Sequence, residues 1–170
     1  MKKIGIFVFS FFVLLAGASA RNINFEIVQN NGTQEDVFDI CEVFEQALSD
    51  FFFESGHIVS NSPVFILTDE EASRQDLKQA LVDTLLGSMD VLVRVQVNFA
   101  VENANNADAI LLESVKDVSW ENYNPKTGRK ISGGSETVWK IDEKNNNETG
   151  VYNFASFVAS KISSTLKGLK

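Results

Sequence analysis

The sequence predicts a single α/β domain, α+β in its layering, with a mixed and mostly antiparallel sheet packed by amphipathic helices in the order β-α-β-α-β-β-β-α. Three observations carry that expectation. The stretch "VLVRVQVNF" alternates apolar and polar residues as a half-buried strand must. Two other stretches repeat apolar residues every three or four positions, the spacing of one helix face. No internal repeat or long linker divides the 170 residues, a length that buries one good core.

The elements follow in chain order. Ile23 to Val28 alternates and reads as a first strand, which Asn30-Asn31-Gly32-Thr33 breaks. From Glu35 to Glu54 the apolar positions Val37, Ile40, Cys41, Phe44, Leu48, Phe51 and Phe52 form one helical face. Asp39, Glu42, Glu45 and Asp50 occupy the other, and Gly56 is placed to stop the helix. Phe53 falls outside the apolar face, either covered by the C-terminal helix or available to a partner. His57 to Leu67 is extended, but Ser62-Pro63 interrupts it, so a strand there is short or bent. Ser73 with Asp76 resembles a capping box, and Leu77, Ala80, Leu81, Thr84 and Leu85 give the second helix its buried face before Gly87 ends it.

Val91, Val93, Val95, Val97, Phe99 and Val101 then point one way along a strand, with Arg94, Gln96 and Asn98 on the other side. Asn103 to Asp108 reads as a turn. Ala109 to Trp120 reads as a strand whose imperfect alternation marks a bulge. "NYNPKTGRK" is a connecting loop with Pro125 and Gly128 at turn positions. Alternation returns from Arg129 to Ile141, with Trp139 on the core side and a bend expected at Gly133-Gly134. After the polar turn "DEKNNNETG", Phe154, Phe157, Val158, Ile162, Leu166 and Leu169 build an amphipathic C-terminal helix.

The first twenty residues have a different character. Met1-Lys2-Lys3 is a short positive start, Ile4 to Leu15 is almost wholly apolar, and Ala18-Ser19-Ala20 has the small-x-small form of a signal-peptidase site. Residues 1–20 are therefore expected to be a bacterial signal peptide cleaved between Ala20 and Arg21, leaving 21–170 as one envelope domain. The apolar run is shorter than the ~20 residues of a membrane span. Gly17, Ala18 and Ser19 stand where a lipoprotein would need cysteine. The expectation is a periplasmic or secreted protein with no stable membrane anchor in the mature chain.

With the two leader lysines removed from the 15 basic residues, 13 remain against 23 acidic ones, a formal charge of −10. That balance argues against nucleic acid and anionic membranes as partners, since both need clustered Lys and Arg. Cys41 is the only cysteine, so no intrachain disulfide forms, and its place on a helix's apolar face reads as a small buried hydrophobe. Asn31-Gly-Thr and Asn147-Glu-Thr match a glycosylation pattern that arises by chance in so Asn-rich a chain.

No catalytic set stands out. His57, the only histidine, has no Cys, Asp or Glu at a ligand spacing and reads as a polar turn residue. A triad would have to join it to Ser60 or Ser62 through folding. Asp69-Glu70-Glu71 lacks the spaced ligands and glycine turn of a calcium loop, and acidic residues favour a helix's first turn. There is no G-x-S-x-G elbow, P-loop or dinucleotide fingerprint. No catalytic residue, cofactor or metal is assigned. Trp120, near Tyr123 and Arg129, is the candidate interface, since aromatic residues and Arg are favoured there.

The segment "ANNADAILLESVKDVSW…YNPKTGRKISGGSETVWKI" resembles the part of bacterial envelope accessory domains where a small-Asp-aliphatic strand start leads to paired strands around a "TG" turn. The preceding "EDVFDICEVFEQALSDFFFESGHIVS" is similar to their helix ending in glycine before an extended stretch. The ensemble resembles the α/β fold shared by the N-terminal domain of TolB, FlgT, CsgG and LpoB. The resemblance implies a periplasmic module that binds other envelope proteins and catalyses nothing. It carries over no site residue: Asp108, Thr127 and Gly128 match as a strand entry and a turn. The chain lacks the lipidated cysteine of LpoB and CsgG, the propeller of TolB and the extra domains of FlgT. Beside an interaction module with an envelope protein as partner stand two other readings: a small-ligand carrier with a pocket between sheet and helices, and an enzyme centred on His57 or a carboxylate pair.

Overall fold

The computed structural model describes residues 20–31, 36–100 and 108–167. The leader and its cleavage, the break at 32–35, the turn at 101–107 and the chain end at Leu169 lie outside the described residues. Among the described residues are six strands and three helices: β1 (Asn22–Asn30), α1 (Asp39–Glu54), β2 (Ile58–Asn61), β3 (Phe65–Ile66), α2 (Glu70–Leu86), β4 (Val91–Phe99), β5 (Val115–Asn124), β6 (Arg129–Thr137) and α3 (Glu148–Lys167). The α/β class and the element order match the sequence reading, and the interrupted stretch around Ser62-Pro63 gives two short strands.

The strands form one mixed sheet in the order β2-β1-β4-β5-β6, with β3 also pairing β1. β1 runs parallel to β2, β3 and β4. Helical crossovers impose this, because each returns the chain to the end of the sheet where it started. β4-β5 and β5-β6 are antiparallel. Of the expected strand Ala109–Trp120 only the part from Val115 is β5, since Leu112–Ser114 forms a 3-10 turn. The bulge expected in it appears as the register shift opposite Asn98/Phe99, and a second shift at Asn122/Tyr123 lies beyond the expected strand.

The two faces of the sheet differ. Ile23, Phe25 and Ile27 of β1 and the alternate valines of β4 are fully buried on one face beneath α1 and α3. Phe44 of α1 meets Phe154 of α3 edge-on, with centroids 6.3 Å apart. Tyr152 of α3 donates its hydroxyl to Asp50 of α1 at 2.9 Å. Trp139, past the end of β6, packs edge-on against Phe154 and Phe157. The other face carries Asn24, Glu26, Arg94, Gln96 and Asn98, and among the described helices only α2 lies over it, its Ala80 packing with Leu92 and Tyr123 in a small apolar cluster.

Four local expectations need correction. α1 begins at Asp39 and not before Val37, because its start is capped from another element. Buried Gln29 of β1 accepts the Phe38 N–H at 2.8 Å and donates to the Asp36 carbonyl at 3.2 Å, satisfying groups that Phe38 itself cannot. α2 begins at Glu70, one turn before the Ser73–Asp76 pair, since the Asp69 carboxylate caps it by accepting the Ala72 N–H at 2.8 Å. Leu85 is 47% exposed, because α2 presses only a narrow stripe onto a largely polar face. Gly133-Gly134 does not bend β6; the two pair regularly with Glu121 and Trp120. Each clears space instead. A Cβ on Gly134 would fall 2.5 Å from the Trp120 ring, and one on Gly133 would fall 2.6 Å from the Trp120 carbonyl.

Phe44 is fully buried between β-sheet and α3. Phe44→Ala is expected to lower stability by about 3–5 kcal/mol in chemical denaturation. A loss below ~1 kcal/mol would mean that this ring is not a core contact.

Candidate functional site

A candidate site lies on the polar face, where β1 and β4 bring Glu26 and Arg94 side by side in parallel register. Both side chains are buried, at 3% and 8% exposure. The Arg94 guanidinium pairs through Nε with Glu26 at 2.8 Å and through Nη2 with Asp76 of α2. Its Nη1 donates to the Ser73 carbonyl at 3.1 Å, and the Phe65 ring lies 5.5 Å from its centre in a cation–π contact. Two carboxylates thus share one cation under a helix. Burial pushes the Glu26 carboxyl up to about 8, against the pull of Arg94 and with a further push from Asp76. Burial likewise raises Asp76. A proton held by the pair relieves the repulsion that two ionised carboxylates would suffer at this distance.

Beside this cluster the sheet opens into a cleft of about 450 Å³ between the start of α2 and the β5–β6 hairpin, lined by Ser73, Arg94, Gln96, Ser119, Glu121 and Ser135 among others. A second cleft of about 480 Å³ shares Ser73 and Gln96 and continues past Thr68 and Asn30. Glu121 takes Lys130 at 2.6 Å and the Tyr123 hydroxyl. Although burial works against it, these two hydrogen bonds hold the Glu121 carboxyl below its usual range. The cleft therefore presents paired charges, hydroxyls and amides.

The residues singled out from sequence are placed elsewhere or do not converge. Trp120 and Tyr123 are buried on opposite faces of β5, Trp120 in the core under α3 and Tyr123 under α2, while Arg129 is exposed on the hairpin. They do not form one exposed patch; β6 pairs alongside β5, so the position is no sheet edge. His57 accepts the Arg21 N–H on Nδ1 at 3.1 Å and stands edge-on to Phe52. Ser62 accepts from Asn24 at 3.1 Å. Cys41 is fully buried, and burial, with Glu45 and Glu42 nearby, pushes its thiol well above the usual range. Asp69 is occupied in capping α2, and Asn147 caps α3 by accepting the Gly150 N–H at 3.0 Å. Thr127 and Gly128, at φ +66°, shape the hairpin turn; Asp108 is an exposed turn residue. Among the described residues, no group of three or more His, Cys, Asp or Glu could hold a metal ion, and no helix is long and apolar enough to cross a membrane.

The sign of the Glu26 effect is fixed. Its folded value lies above the unfolded 4.5, so its contribution to stability is complete below about pH 4.5 and is lost as pH rises through about 8. Urea midpoints should fall across that window, and Glu26→Gln should flatten the fall. An unchanged slope in the variant would show that Glu26 does not titrate there.

No curated protein matches the chain. Solved structures similar to the chain at low identity include the following two. One is a PelC dodecamer from Paraburkholderia phytofirmans, 14% identical over 86% of this chain and 87% of that one, with a TM-score of 0.46. The other is the lipoprotein GNA1162 from Neisseria meningitidis, 12% identical over 84% and 99%, with a TM-score of 0.46. No residue role passes from either. A protein-family model described as "Uncharacterised protein" matches residues 22–167, and the chain belongs to that family.

Proposed function

We propose that the chain is an exported, non-catalytic interaction module of the bacterial cell envelope that binds another envelope protein. The observation that carries this reading is a set of apolar side chains left in water at one end of the sheet. α1 and α2 both finish where β1, β2 and β4 begin, a consequence of the parallel crossovers. At that end Phe53 is 72% exposed, Leu86 77% and Ile58 63%. They come from the last turns of two helices and the first residue of an edge strand. α1 and α2 pack on opposite faces of the sheet, so these side chains rim that end rather than form one patch, and large apolar groups left exposed there are what a partner protein would cover.

The chemistry of the rest supports a binding role. The histidine and the cysteine are held in structural contacts, and the charged groups beneath α2 are paired to one another. The leader-like start and the likeness of the later half to envelope accessory domains support export and a periplasmic partner.

A photoreactive amino acid placed at Phe53 or Leu86 in living cells is expected to trap one discrete envelope protein, while the same group at exposed Lys126 is expected to trap none. Absence of any adduct from both apolar positions, or equal capture from Lys126, would count against this surface.

A further inference from the structure

The polar face holds an ordered array at the opposite side of the molecule's chemistry from that apolar end. Gln96, Ser119 and Ser135 lie directly across from one another on β4, β5 and β6, and Asn98, Asp117 and Thr137 form the next row. Alternation places all six on the face of the sheet that α2 leaves uncovered. Neighbouring strands are about 4.8 Å apart, so amide, hydroxyl and carboxylate groups recur across the floor at close, regular intervals.

This differs from an ordinary wetted sheet face in two ways. Its amide groups and the Asp117 carboxylate are held in place before any ligand arrives. Gln96 donates to Asn98 at 2.8 Å, Asn30 donates to the same oxygen at 2.6 Å, and Asn98 in turn donates to Asp117; groups fixed in this way lose little freedom on binding. The floor is also hollow. Ser119 and Ser135 are small where long charged side chains would be usual, and α2 raises a wall with Ser73 on one side, giving the cleft of about 450 Å³.

The lining also selects the class of ligand. Arg94 is tied to Glu26 and Asp76, and Lys130 to Glu121, so an anion or cation would have to break an existing ion pair. Val28 and Trp120 are the large apolar residues of the lining, and both are almost wholly buried, which leaves an apolar ligand or a protein partner little apolar surface to cover. What remains complementary is a molecule with many hydroxyls, each able to donate and accept. The geometry points to a binding site for a neutral, polyhydroxylated ligand, a short oligosaccharide, seated on the Gln96–Ser119–Ser135 floor beside α2. Ring hydroxyls would meet Ser119, Ser135 and the Gln96 carbonyl oxygen, with Glu121 accepting at the rim.

The test is titration of the isotope-labelled protein with maltotriose and chitotriose as neutral probes and glucose 6-phosphate as the anionic one, following backbone amide signals. Saturable shifts centred on Ser119 and Ser135 are expected with at least one neutral probe, and no tighter binding with the phosphate. Joint Ser119→Val and Ser135→Val substitution, which a strand accommodates, should weaken binding by about tenfold or more, with an unchanged fold by circular dichroism. Phe53→Ser should leave it unaltered, which separates this site from the apolar end. The assignment is overturned if neither neutral probe gives saturable shifts up to about 10 mM, if the double variant binds equally well, or if the phosphate binds more tightly.

Discussion

One buried guanidinium determines how this molecule is built on its polar side. Charges removed from water are unfavourable unless their partners and hydrogen bonds are complete. Around Arg94 the partners are nearly complete: two carboxylates, a main-chain carbonyl and an aromatic face surround it, while its Nε meets Glu26 as an ion pair without hydrogen-bond geometry. Two of those partners, Asp76 and Ser73, sit in the first turns of α2. The cluster thus fixes where a helix with only two fully buried residues comes to rest. A second polar link, from Asn24 to Thr84 at 2.8 Å, holds the far half. Replacing such a cluster with apolar residues of the same volume is often neutral or stabilising, so its presence speaks for placement and not for strength.

The consequence is a division between the faces. Stability resides where α1 and α3 press Phe44, Phe154 and their neighbours onto the valines of β4. The α2 side contributes little apolar burial and leaves Gln96, Ser119 and Ser135 facing the cleft. Binding sites are drawn from such thinly covered regions, since a surface buried in the core has nothing left to offer a ligand. The exposed Phe53, Ile58 and Leu86 at one end and the fixed polar array on the open face are two separate outcomes of the same layout.

Sequence patterns carried the local structure well wherever the period was strong. β4 reads directly from its alternating valines, and α1 and α3 from their apolar stripes. Boundaries were lost where capping came from a distance: nothing near Phe38 announces that Gln29, nine residues earlier, closes the helix start. The candidate site was hidden for a related reason. Glu26 and Arg94 each look like the solvent side of an alternating strand, and only the adjacency of β1 and β4, set by long-range parallel pairing, turns them into a buried pair. Trp120 misled because its strand continues to Asn124 and acquires β6 as a neighbour, which converts an apparent strand end into an interior position. The glycine pair misled because space for a neighbouring ring, and not backbone freedom, explains it.

Residue-resolved amide hydrogen exchange on the native protein tests most directly whether α2 is held by a polar latch while α1 and α3 are held by the core. The α2 amides should open at lower free energy than those of the other two helices, and Arg94→Met should release α2 while leaving protection in α1 and α3 nearly unchanged. Equal protection of all three helices, with the variant loosening them together, would contradict this division of the fold.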